Sequence, residues 1–201
     1  MDVQLYLLFV IFLSVDGSSA NNEILLDIPP NNHGIMPQIM ICEAFRPYEV
    51  GFIGQIERLS TEWSLSFEFV ARQQPPNWYQ LLLLTTNNGW HGEIGGRVPS
   101  VYYHDGLVWV FTYLGQSPNK EILRFPVQFN QTYTFDVNHR YVIDGQYRYT
   151  IYVDGVLQSS HQHEPAFQLY DVGMYGGNLT WNEPAAMVDV KLSNVKHTNF
   201  P

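Results

Sequence analysis

The chain has 201 residues, 45% of them hydrophobic, with 10 Lys+Arg against 19 Asp+Glu and a net charge of −9 when histidine is neutral. That length supports one domain with a sizeable core. The acidic balance is scattered rather than massed in a tail, and it argues against a nucleic-acid or anionic-membrane partner, since both demand a basic face.

Residues 5–15 read LYLLFVIFLSV and give way to Asp16-Gly17-Ser18-Ser19-Ala20. An apolar run of about ten residues closed by small side chains is the pattern of a secretory signal peptide. Ser18 and Ala20 supply the small residues for a cut after Ala20, although Met1-Asp2-Val3-Gln4 lacks the usual basic residue. A membrane anchor needs about 20 apolar residues, and no run here reaches that length. The expectation is a signal peptide over 1–20 and a secreted, extracellular domain over 21–201, with no membrane insertion of the exported part. Without Asp2 and Asp16 that domain holds 17 acidic residues, for a net charge near −7.

Cys42 is the single cysteine, so stability rests on the core rather than on an internal disulfide. Its setting, QIMICEAF, is apolar and favours burial; the alternative is a disulfide-linked dimer through Cys42.

From residue 63 onward, period two dominates and no long helical period occurs. Trp63, Leu65, Phe67 and Phe69 point one way, with Ser64, Ser66 and Glu68 opposite. The run WYQLLLLTT, residues 78–86, reads as a strand covered on both faces. Leu107, Trp109, Phe111 and Tyr113 share a face, as do Tyr133, Phe135 and Val137, and Tyr147, Tyr149, Ile151 and Val153. Trp109 with Tyr113, or Tyr147 with Tyr149, either lines a binding sheet or packs the core, and core packing is expected. Val188, Val190 and Leu192 alternate with Asp189, Lys191 and Ser193 near the end. Asn87-Asn88-Gly89, Asp105-Gly106, Asp144-Gly145, Asp154-Gly155 and Gly176-Gly177 supply the turns that tight hairpins require. Many short strands at this spacing predict an all-β, antiparallel two-sheet sandwich of the jelly-roll kind.

The loop Asn87-Asn88-Gly89-Trp90-His91-Gly92-Glu93 joins a large aromatic to amide, imidazole and carboxylate groups, the mixture that holds a sugar. Asn88, Trp90, His91 and Glu93 are therefore candidate ligand contacts; the other use of Trp90 is to plug the rim of the sandwich. Trp181, in Asn178-Leu179-Thr180-Trp181-Asn182-Glu183, is a second candidate. Asn130-Gln131-Thr132 and Asn178-Leu179-Thr180 are glycosylation sequons at Asn130 and Asn178, and a glycan on Asn178 would hinder binding beside it. His161-Gln162-His163-Glu164 sets two imidazoles on one side of a strand, but no third metal ligand is evident and an exposed connection is expected. No metal site and no cofactor are assigned. Asp105, Asp144 and Asp154 are each explained by the following glycine as turn residues rather than as calcium ligands.

The hairpin RYTIYVDGVLQ, the segment PAFQLYDVGMYGG and the closing NEPAAMVDVKLSNVK succeed one another in an order that resembles the concanavalin A-like lectin/glucanase superfamily. Within it, laminin G-like domains share the "YxxYVDG" hairpin and an "AxVxNLKI"-type last strand, and WSLSFEFVAR with WYQLLLLTT looks like their paired strands. The resemblance covers about residues 50–197. It implies the sandwich, calcium binding in many relatives, and recognition of a glycan or an extracellular protein. Phe135-Asp136-Val137-Asn138-His139 is similar to the metal loop of legume lectins, but the supporting acidic neighbour is missing. Trp90-His91-Gly92-Glu93 is similar to the galectin "WGxE" element, with Arg97 just beyond, yet the preceding "HxNPR" strand is absent.

The superfamily also contains glycoside hydrolases. Those that retain configuration set carboxylates at alternate positions of one strand, so that period two brings them to one face. No two acidic residues of this chain stand at i, i+2, and Glu57, Glu62 and Glu68 are too far apart. There is also no Gly-x-Ser-x-Gly elbow. A non-catalytic recognition domain is expected; the alternative is a structural or assembly protein of an extracellular matrix or coat.

Overall fold

The computed structural model describes residues 38–45, 51–87, 89–177 and 189–200, the first span by its backbone alone. Two six-stranded antiparallel sheets make up the fold. One runs β1 (Gln38–Phe45), β12 (Val190–Phe200), β3 (Glu62–Ala71), β8 (Thr132–Ile143), β9 (Gln146–Val153), β10 (Val156–His163). The other runs β2 (Gly51–Leu59), β11 (Leu169–Gly176), β4 (Tyr79–Thr85), β5 (Ser100–His104), β6 (Leu107–Leu114), β7 (Ser117–Pro126). No helix occurs among the described residues, so none there is long and apolar enough to cross a membrane. The expected leader over 1–20 lies outside them, as do Asn88, Asn178 and Trp181. Cys42 lies in edge strand β1 opposite Val195, and its side chain is outside the description.

The core forms where the sheets face each other. Along β3 buried and half-buried residues alternate without a break, with Trp63, Leu65, Phe67 and Phe69 inward, as period two predicts. Phe67 stacks on Phe135 of β8 at 5.2 Å between centroids, and Phe69 reaches across to Tyr103 of β5 at 5.3 Å. Every residue of β4 is buried, which accounts for four successive leucines in a strand covered on both faces. The Asp-Gly pairs at 105–106, 144–145 and 154–155 all have positive φ at both residues, the geometry of two-residue hairpin loops.

Two expectations need correction. On β6 the inward residues are Val108, Val110 and Thr112, so Trp109 and Phe111 face outward rather than packing the core. Both faces of that strand are apolar, and the smaller β-branched side chains are the ones turned inward to the core. The strand returning from the Asp154-Gly155 turn, β10, runs on through His161 to His163, which were expected in an exposed connection, and His163 is 4% exposed. In β12, Val190 and Leu192 face the core as expected (Val188 lies outside the described residues), and a bulge between Ser193 and Lys196, with Asn194 at φ 52°, then reverses the parity so that Val195 and His197 follow them inward.

That last register places a polar annex in the core. His139 Nε2 and His163 Nδ1 lie 2.8 Å apart, and Tyr149 and Trp63 pack on His139 at 4.4 and 5.9 Å. His197 stacks on the other side of Trp63 at 6.1 Å, and neither of its ring nitrogens finds a protein partner. Burial pushes all three imidazoles down, His139 to about 3, His163 to about 4 and His197 to about 4. For His139 the neighbouring His163 adds to the effect, and a backbone hydrogen bond at Thr61 opposes it.

Candidate functional site

The solvent side of the second sheet carries an aromatic surface. Antiparallel register sets Gln80, Tyr102, Trp109 and Arg124 abreast across β4, β5, β6 and β7. One step along the pleat, Ser100, Phe111 and Glu121 form the next row. Alternation sends all of these to the face away from the core. Trp78, just ahead of β4, stacks on His104 at 4.5 Å and meets Trp109 at 5.1 Å, Tyr102 at 6.0 Å and Phe111 at 6.2 Å. The planes of Trp109 and Phe111 are parallel to within 3°. The Arg124 guanidinium covers the Trp109 ring at 3.9 Å while pairing with Glu121 at 3.1 Å.

The loop between β4 and β5 stands beside this surface, held by backbone bonds from Thr86 N–H to the Gly95 carbonyl at 2.9 Å and from Val98 N–H to the Leu84 carbonyl at 2.9 Å. Its path depends on Gly96. A β-carbon there would lie 1.8 Å from the Trp90 carbonyl oxygen, closer than any side chain tolerates. Between loop and sheet a cleft of about 270 Å³ opens, lined by Trp78, His91, Arg97, Tyr102, Phe111 and Asn119. A wider opening of about 820 Å³ at the β6–β7 turn is lined by residues 114–118 with Lys120, Gln162 and Glu164, none of them aromatic.

Arg97 forms one end of the cleft. Its guanidinium sits 5.3 Å from the Tyr102 ring and 5.9 Å from Phe111, and donates from Nη1 to Asn119 Oδ1 at 2.5 Å. Its backbone carbonyl accepts from Tyr113 N–H at 3.2 Å and from the Thr112 hydroxyl at 3.4 Å, which fixes it to β6.

Among the residues that the sequence nominates, His91 lines the cleft. Trp90 is 61% exposed, with its ring 5.6 Å from His91, so it does not plug the rim; it stands outside the cleft wall. Glu93 accepts from Asn87 Nδ2 at 3.3 Å and ties the loop to itself rather than entering the cleft. Trp78, Arg97, Tyr102, Phe111 and Asn119 are the residues that sequence reasoning leaves out of the site. The available signal is β6, whose two faces are both apolar, one of them aromatic. Asn130 is exposed, in the turn between β7 and β8. His161 bonds to the Ser159 hydroxyl at 2.8 Å. Among the described residues, no three His, Cys, Asp or Glu side chains are grouped to hold a metal.

No protein-family model and no curated protein sequence matches this chain. Solved structures do. A botulinum neurotoxin type G receptor binding domain superposes with a TM-score of 0.50 at 11% identity, over 81% of this chain and 42% of that one. A heptameric SAP-like pentraxin from Limulus polyphemus gives a TM-score of 0.50 at 15% identity, over 81% and 75%. The fold is a lectin-like jelly roll. The likeness is to the concanavalin-like sandwich at large and does not single out laminin G modules. This chain spans less than half the length of the neurotoxin domain that it matches.

Proposed function

We propose that this chain is a secreted, non-catalytic recognition domain whose ligand is a glycan, bound in the cleft between the β4–β5 loop and the aromatic face of β4 to β7. One observation carries the reading: Trp78, Tyr102 and Phe111, two of them half-buried, line an opening with polar groups from His91, Arg97 and Asn119 at its edge. Sugar rings have apolar C–H faces and polar rims, so flat aromatic walls with a few fixed donors suit them. Among the described residues no carboxylate lines the cleft, which favours holding a sugar over cutting it, since hydrolysis needs two. The leader-like segment 5–15 and the exposed sequon at Asn130 support an extracellular setting. The laminin G-like strand pattern supports the same role, with an extracellular protein as the alternative partner.

The test is a glycan array followed by calorimetric titration of the hits. Trp78→Ala should weaken binding by about tenfold or more, the size of a lost aromatic contact of 1–2 kcal/mol, with the melting temperature changed by no more than a few degrees. An array blank for the wild-type chain would overturn the reading and direct attention to a protein partner.

A further inference from the structure

We infer that the cleft selects a sugar bearing a carboxylate, with Arg97 as the group that reads the charge; this rests on the glycan reading above and narrows it. Arg97 is only 8% exposed, and its Nε–H is buried without a partner. A guanidinium has five N–H donors and keeps its proton at any physiological pH. Here just one donor is seen to be used, on the neutral Asn119 amide. Among the described residues no Asp or Glu lies within ion-pair distance of it, whereas Arg72, Arg124 and Arg140 each have one.

That is an unusual way to keep a buried charge. Removing a cation from water is costly unless an anion or several hydrogen bonds replace the hydration. The rings of Tyr102 and Phe111 return part of that cost through their π faces and no more. Among the described residues the cleft lining holds no acidic side chain that could serve as a partner for Arg97. The missing counter-charge is therefore one that arrives with the ligand. A carboxylate matches the planar guanidinium fork, accepting two parallel N–H bonds. Trp78, on the same cleft wall, supplies the flat surface for the ring that carries it. The cleft volume is at the small end of ligand pockets, so it fits a single sugar unit at the end or within a chain. An acidic peptide would satisfy Arg97 but has no ring for the aromatic wall.

The experiment compares a matched pair of probes on the full chain by calorimetry: an oligo-glucuronate, and the same oligosaccharide with each carboxyl reduced to the alcohol. The ligand itself is varied, so the result does not depend on any variant folding. Expected is at least tenfold tighter binding of the uronate, falling as salt is raised, and a loss of that preference in Arg97→Gln. Arg97→Lys, which keeps charge without the fork, should recover only part of it. Equal affinity for both probes, or tighter binding of oligo-glutamate, would overturn the inference and leave the glycan reading intact in the first case. Binding of neither probe by a chain that binds neutral glycans on the array would overturn the inference alone, and a blank array would overturn both.

Discussion

Acid should unfold this protein through its core histidines. His139, His163 and His197 are buried with folded-state values of about 3, 4 and 4, while an unfolded histidine titrates near 6.5. A depressed value means that the folded state binds fewer protons than the unfolded state. Stability from these groups is thus fully present above about pH 6.5 and is lost as pH falls toward the folded values. At pH 5 each histidine contributes a loss of about 2 kcal/mol, 1.5 pH units at 1.36 kcal/mol each, so the three together remove about 6 kcal/mol. A domain of this kind has about 5–15 kcal/mol in total. The carboxyl of Asp136, raised by desolvation against the pull of Lys196, works in the opposite sense at lower pH and blunts the fall.

The assay is urea unfolding at pH 7.5, 6.5, 5.5 and 5.0. The slope near pH 5 should correspond to about three protons taken up on unfolding, or about 4 kcal/mol per pH unit. His197→Leu separates the groups. It removes a ring with two unpartnered nitrogens at a fully buried site, and the uptake should drop by one proton without loss of fold. A midpoint that holds steady from pH 7.5 to 5.0, or an uptake below one proton, would refute the reasoning.

Phe67→Ala should destabilise by about 3–5 kcal/mol in denaturant titration, because it empties a site 1% exposed and unstacks Phe135. Gly96→Ala should shift the β4–β5 loop, read as faster proteolysis within residues 86–97 and weaker sugar binding; a variant with unchanged cleavage would contradict the close approach to Trp90. Tyr149→Phe and Thr112→Val each break the hydroxyl contact at 3.1 Å that joins the two sheets. A double-mutant cycle should return a coupling of about 1 kcal/mol, and zero coupling would mean that the contact does not hold in solution.

How much of this was legible beforehand depended on contrast. On β3 serines and glutamate oppose large aromatics, and the inward face follows from period two. On β6 no polar residue marks the outer face, so alternation alone leaves the choice open, and the structure turns the valines inward and the aromatic rings outward. The bulge at Asn194 is invisible to a period-two reading, because one inserted residue reverses every position after it and turns His197 inward. His163 escaped for a different reason. VLQSSHQH lacks apolar alternation, as an edge strand can, since half its hydrogen bonds face away from the sheet. Of the candidate site, the loop was legible through Trp90-His91-Gly92-Glu93, but Trp78, Arg97, Phe111 and Asn119 lie on four different segments that only the register brings together.

The two sheets make opposite use of their outer faces. On the first, Ser64, Ser66 and Glu68 of β3 stand beside Asn138, Asp136 and Thr134 of β8, a surface that water satisfies. On the second, the equivalent positions hold buried Tyr102 and half-buried Trp109 and Phe111, and what the latter two still show to water is unfavourable by about 25 cal/mol per Å². A fold stabilised only by its interior gains nothing from that arrangement, because Val108, Val110 and Val101 already fill the inward positions of the same strands. The aromatic rows become favourable when something apolar covers them. Among the described residues, Arg97 is the one buried guanidinium without an acidic partner; it sits at their edge, fixed through its carbonyl to Thr112 and thence to Tyr149 in the core. Apolar faces and an unanswered charge therefore occur together at a single cleft, which is the combination that the proposed acidic sugar would answer.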